Sequence, residues 1–335
     1  MAIAAVLTGC ASTAPVDPGA TPEELVLITH GSFALGEDNE VLDRFTEQTG
    51  IAVTVLQADD AGALTNQLVL TKNAPLADVA FGVDTTFASR AVKAGVFAEH
   101  QVAAMGPDQE RFQLPAGAGR EVLAPITSGD VCINIDAEWY QSKGQTPPAT
   151  LDDLIKPKYR GQLVASGAST SSPGLAFLLA TIAAYGEDGW RDYWRALVAN
   201  DIKVTAGWTD AYTVDFTRAG GDRPIVLSYG SSPAFDPATQ NLDATCFRQV
   251  EYAGVIAGTK YPTAAGQLVD FLFSAEAQAA IPDSMYVFPT NTAVALPEGW
   301  AGVVSVAETA YELDPAVIDA KREAWIAEWS AIVIG

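Results

Sequence analysis

Histidine is scarce in this chain, with two in 335 residues, and cysteine nearly so, with three. Neither His30 nor His100 stands in a Cys/His/carboxylate cluster with the spacing of a structural zinc site. Basic residues are few as well: 19 Lys and Arg face 41 Asp and Glu, for a formal charge of -22. That balance excludes nucleic acid as a partner, because phosphate binding needs clustered Lys and Arg. The acidic excess is read instead as solvation of the surface. Long apolar runs are missing; Leu175 to Ala184 has the length of a buried helix, not of a membrane span. There is no G-x-x-x-x-G-K-[ST] loop, no G-x-G-x-x-G after the first strand and no G-x-S-x-G elbow. These absences weigh against nucleotide-driven and hydrolytic chemistry and leave a binder as the simplest class.

What is present begins with size. A chain of 335 residues that is 49% hydrophobic exceeds what one growing core accommodates and can bury two, so two lobes are expected. At the N-terminus, Ala2 to Leu7 are small or apolar, and Leu7-Thr8-Gly9-Cys10 resembles a bacterial lipoprotein signal whose cysteine, Cys10, is lipidated. No Lys or Arg precedes the apolar run, a departure consistent with a start further upstream. Ala11 to Pro22, rich in Ser, Thr, Ala, Pro and Gly, reads as a flexible tether. Together they predict a folded body outside the cytoplasmic membrane, held to its outer face by lipid alone.

With Cys10 assigned to lipidation, Cys132 and Cys246 remain. In an oxidising compartment two thiols suggest one disulfide, worth on the order of 4 to 5 kcal/mol for so long a loop before native strain is subtracted. The competing reading keeps Cys132 as a nucleophile, which needs a lowered pKa and a nearby base.

From Leu25 the patterns alternate between strand and helix, which argues for an α/β fold with mostly parallel strands. Strands are expected at Leu25–Thr29, Ile51–Leu56, Ala77–Val83, Val131–Ile135, Gln162–Ala165, Pro224–Ser228 and Cys246–Ile256. Helices are expected at Asn39–Gln48, stopped by Gly50, at Leu64–Lys72, from Leu175, at Thr263–Ala280 and at Pro315–Ile332. Trp190, Trp194, Trp325 and Trp329 lie on helical patterns and are assigned to packing. The resulting organisation is 1–10 signal, 11–24 tether, 25–128 first lobe, 129–245 second lobe, 246–290 return to the first lobe, and 291–335 C-terminal helices packing on the second. Strands near 131 and 246 cross between lobes.

Three strings carry a resemblance: Thr170-Ser171-Ser172-Pro173-Gly174-Leu175, Gly207-Trp208-Thr209-Asp210-Ala211-Tyr212 and Leu227-Ser228-Tyr229-Gly230-Ser231-Ser232-Pro233. In this order and spacing the chain resembles the thiamine-binding subunits of ABC importers, in the ferric-ion-like branch of two-lobed binding proteins. The likeness extends through Ala77-Asp78-Val79 and Gly82-Val83-Asp84 to Lys321–Trp329. It implies a periplasmic-binding-protein type II fold, each lobe an open, mostly parallel sheet flanked by helices. It further implies a monomeric receptor that binds thiamine or a thiamine phosphate, performs no chemistry and delivers its ligand to a membrane permease.

Carried over residue by residue, the resemblance puts Trp208, Tyr229 and Phe235 against the ligand's rings, which suits a flat pyrimidine and a cationic thiazolium. Asp60 takes the place of the carboxylate that accepts from the pyrimidine amine, with Asp84 as a second carboxylate. Ser171 and Ser172 fall where the hydroxyl or phosphate end is held. His30 and Tyr286 stand where the family presents Tyr and Trp. Protonation of His30 beside a cation would cost stacking, so binding is expected to weaken toward acid pH. Asp60 and Asp84 are equally at home as helix N-caps after strands.

Two other receptors and one enzyme compete. Ferric-ion binding needs paired tyrosines, and Tyr229 has no adjacent partner. A polyamine or other small cation also suits aromatics with carboxylates. A thiaminase-like enzyme of similar scaffold would use Cys132, and a free, alkylatable Cys132 is its signature.

Overall fold

The computed structural model describes residues 19–102, 105–300, 302–304, 306–307 and 309–335. The signal with Cys10, and the tether as far as Pro18, lie outside them. Among the described residues nine strands form one hydrogen-bonded sheet: β1 (Glu24–Thr29), β2 (Ala52–Gln57), β3 (Val79–Asp84), β4 (Ala124–Asp136), β5 (Leu163–Ser166), β6 (Lys203–Thr205), β7 (Ile225–Tyr229), β8 (Thr239–Val255) and β9 (Phe288–Pro289). Their order is β2-β1-β3-β8-β4-β7-β5-β6, with β9 on β4. β2, β1 and β3 are parallel in one lobe, and β7, β5 and β6 in the other. The antiparallel strands β4 and β8 join them.

The expected crossovers are longer than their apolar cores suggested. β4 starts at Ala124 and β8 at Thr239, because each continues into the neighbouring lobe's sheet past the apolar stretch that marks it in sequence. β1 shows how the sheet is buried on both faces: Leu25 and Leu27 pack with Phe45, Val79 and Leu268, while Ile28 points to the opposite core with Leu64 and Val83. That second core runs on through Val131 to Trp194 and Trp329, so apolar packing is continuous between the lobes.

The principal helices are α1 (Val41–Thr49), α2 (Ala61–Thr71), α3 (Ala88–Lys93), α4 (Ser172–Ala199, broken at Gly186), α5 (Pro262–Phe273) and α6 (Pro315–Val333). Gly50 ends α1 in the left-handed region at φ 75°, as a C-terminal glycine should. The helix expected to reach Ala280 stops at Phe273. Ser274 leaves helical geometry, and its hydroxyl caps a new turn, Ala275–Gln278, by accepting from Ala277 N at 3.2 Å. Among the described residues the C-terminal region holds a short 3-10 turn, Glu298–Trp300, and the long helix α6. Trp325 and Trp329 of α6 are buried, with Trp329 edge-on to Trp194 of α4 at 5.6 Å. From the same helix Arg322 reaches Thr86 O (3.3 Å) and Ser89 Oγ (3.0 Å) beside α3, so α6 packs on both lobes. Among the described residues no helix is long and apolar enough to cross a membrane.

Candidate ligand-binding site

A cavity of about 320 Å³ opens between the lobes, a volume at the small-molecule end of binding clefts. Its walls come from the loop after β1 (His30–Ser32), the turn that carries Trp208 and Tyr212, the end of β7 (Tyr229), the short helix Ser232–Phe235, Glu251 of β8 and the segment Ser284–Val287. Five of the nine expected site residues, His30, Trp208, Tyr229, Phe235 and Tyr286, line this one space. Trp208 stacks on Tyr212 with centroids 5.0 Å apart and planes 17° apart, four residues on along a helical turn. Its indole N–H donates to Ser228 Oγ at 2.9 Å, which fixes the ring. Phe235, 56% exposed, meets Tyr286 edge-on at 4.7 Å at the solvent rim. Tyr286 sits in the left-handed region at φ 54°, and the Ser231 hydroxyl donates to its carbonyl. Such backbone conformations persist where surrounding contacts over-determine them.

His30 and Glu251 form the polar wall. His30 Nε2 lies 3.3 Å from Glu251 Oε1, and Ser32 Oγ is 2.9 Å from His30 Nδ1. Glu251 Oε2 accepts from Thr127 Oγ1 at 2.7 Å. Burial disfavours the imidazolium, but Glu251, then Asp60 and Asp84, outweigh it and hold the His30 pKa above 6.5. Burial likewise disfavours the Glu251 carboxylate, and His30 and Thr127 overcome this to hold its pKa below the usual value. The two directions describe an ion pair. Gly82, at φ 102°, makes room for it, since a Cβ there would lie 2.2 Å from His30 Cδ2. Among the described lining residues Glu251 is the single carboxylate, and none is Lys or Arg.

The other four expected residues, Asp60, Asp84, Ser171 and Ser172, do not line the cavity. They lie behind it, where the lobes clasp. Asp60 caps α2 by accepting from Ala61 N (2.7 Å) and crosses the cleft to accept from Ser172 N (3.3 Å) and Trp208 N (2.9 Å). Three of a carboxylate's roughly four acceptor positions are thereby filled. Asp84 is fully buried: its Oδ1 accepts from Thr86 N (3.1 Å), Thr86 Oγ1 (2.8 Å) and Phe87 N (3.1 Å), and its Oδ2 from the Ser172 hydroxyl. Gln249 Nε2 donates to Ser172 Oγ at 3.0 Å, and Ser171 Oγ donates to Ser166 Oγ at 2.8 Å. The clasp is tight because Gly62 N and Ala63 N donate to Thr170 O across it, at 3.1 and 3.3 Å. A Cβ on Gly62 would lie 2.7 Å from that carbonyl.

Cys132 and Cys246 are bonded to each other across β4 and β8 and are buried. Bonded in this way, Cys132 offers no thiolate. Of the lining residues outside the expected set, Tyr212 and Glu251 bring a further ring and the carboxylate. Tyr212 ends a string already singled out, and its spacing of four from Trp208 was the available signal. Glu251 gave none, being one acid on a crossover strand whose partner, His30, lies near the other end of the chain.

A profile described as bacterial extracellular solute-binding protein matches residues 74–307. The chain is 30% identical over 319 residues to a thiamine-binding periplasmic protein of Escherichia coli, covering 92% of this chain and 93% of that one. A solved periplasmic thiamin binding protein superimposes with a TM-score of 0.81 at 28% identity, over 94% of this chain and 99% of the other. A ferric binding protein from Campylobacter jejuni shares the fold, with a TM-score of 0.72 at 18% identity over 92% and 99% of the two chains.

Proposed function

The chain belongs to the bacterial extracellular solute-binding proteins, and from that membership we propose that it is a thiamine receptor, which encloses the vitamin between its lobes and hands it to an ABC permease. The observation that carries this reading is the cavity itself: Trp208, Tyr212, Tyr229, Phe235 and Tyr286 around one carboxylate, with no Lys or Arg in the described lining. Aromatic faces and a buried carboxylate suit a flat, permanently cationic ligand, each cation–π contact adding about 0.5 to 2 kcal/mol. Asp60, behind the cavity, holds Trp208 in place by accepting from its backbone N–H. Asp84, Ser171 and Ser172 serve closure instead of contact.

Unphosphorylated thiamine is the preferred form. A phosphate would meet no cationic side chain in the described lining, and at the start of α4 the Asp60 carboxylate already occupies Ser172 N. The receptor performs no chemistry, acts as a monomer and is anchored through lipidated Cys10. Calorimetric titration of the protein with thiamine and its mono- and diphosphates tests the reading, with the ligand recovered afterwards. Submicromolar, stoichiometric binding of intact thiamine, weaker for the phosphates, supports it; no heat, or cleaved thiamine, overturns it. Loss of incorporated fatty acid in Cys10→Ala tests the anchor.

A further inference from the structure

Resting on that reading, we propose that Glu251 recognises the ligand's positive charge and that His30 is the internal cation it gives up, so that a permanent organic cation binds by exchange for one proton. The geometry isolates the pair. Glu251 Oε2 is taken by Thr127, whereas Oε1 faces only His30 Nε2, 3.3 Å away, at the cavity wall. In the empty cavity, with no Lys or Arg among the described lining residues, the imidazolium is the charge that balances Glu251.

The groups facing His30 all favour its proton. They are Glu251 on β8, Asp60 at the start of α2, Asp84 on β3 and, through Nδ1, the Ser32 hydroxyl; Tyr229 on β7 is buried with its phenol held well above the usual pKa and stays neutral. A thiazolium entering this space puts two cations beside one available carboxylate oxygen in a water-poor site. The ligand's charge is permanent and the imidazolium's is not. One proton therefore leaves a ring nitrogen of His30 for water, no bond to the ligand forms, and the neutral ring keeps a hydrogen bond to Ser32 and a flat face for stacking. One positive charge enters and one departs.

Linkage then sets the pH profile. Affinity for thiamine is greatest and level above the His30 pKa of the free protein, and falls by up to about tenfold per pH unit below it. Titrating the full protein with thiamine between about pH 5.5 and 8.5, in buffers of different ionisation enthalpy, counts the protons released. About half a proton per ligand is expected at the free His30 pKa and close to one a unit or more below it, and His30→Gln removes both the release and the slope. Uncharged thiochrome releases none. Independently of any change in the pair, the imidazole resonances of the wild type report its charge, since the chain has two histidines and His100→Gln assigns them. His30 should read protonated in the free protein and neutral in the complex at the same pH. Thiamine binding without proton release and with an unchanged His30 resonance overturns the exchange and leaves the receptor reading standing. No thiamine binding at any pH overturns both.

Discussion

The aromatic cavity and the clasp behind it lie side by side and meet at Trp208, yet they dispose of their polar groups in opposite ways. In the clasp, backbone and hydroxyl donors give Asp84 four hydrogen bonds, on both of its oxygens, and Asp60 three. In the cavity, Glu251 leaves one oxygen opposite a titratable partner. Chemistry-bearing residue types therefore do not locate a ligand site until their partners are counted. A saturated carboxylate holds the structure together, and an unsaturated one is available to something new.

The contrast can be broken most forcefully at Asp60, which serves both regions. Asp60→Ala removes the α2 cap and strands Ser172 N and Trp208 N; thiamine affinity is expected to fall about 100-fold, accompanied by a lower melting temperature. Trp208→Ala tests the cavity alone. It should weaken binding about 10- to 50-fold in calorimetry with melting little changed, the reverse of a clasp defect. Gly62→Ala tests the clasp alone, by pushing the Thr170 carbonyl away. An affinity loss of about 5- to 10-fold without any altered cavity residue is expected, with unchanged affinity as the refuting result.

The smallest effect sharpens the comparison through pH. Burial, opposed by hydrogen bonds from Ser172 and Thr86, pushes the Asp84 pKa from 3.8 up to about 6. The folded state thus holds this proton more tightly than the unfolded state does, and the stability it contributes is lost as pH rises from about 4 to about 6. The loss is about 3 kcal/mol. Asp84→Asn cannot ionise, so between about pH 4 and 7 its melting temperature should gain on the wild type by about 4 °C. A constant difference between the two would show that Asp84 does not titrate in that range.

Much of the lobe architecture was legible because strands buried on both faces read as short apolar runs, and Gly50 announced the end of α1. Crossover lengths were not, since β4 and β8 carry on into polar sequence wherever a neighbouring strand supplies partners. The helix break at Ser274 was hidden inside an apolar pattern that continues through it. At the site, rings were easier to read than charges. Trp208, Tyr229, Phe235 and Tyr286 belong to local strings or segments, whereas the His30–Glu251 pair exists only once β1 and β8 share a sheet. The roles of Ser171 and Ser172 depended on which way their hydroxyls point, and sequence carries no such direction.

Because β4 and β8 are paired along most of their length and belong to both lobes, the lobes cannot separate as free bodies. What remains is bending and twisting of a two-stranded ribbon. That ribbon loses regular pairing at two points, between Pro125 and Thr127 and between Val131 and Ile133. The Cys132–Cys246 bond ties the second. The first is covered from β9's side, where Thr290 N donates to Ile126 O at 3.2 Å, so one break in the ribbon is held by a covalent bond and the other by a neighbouring strand.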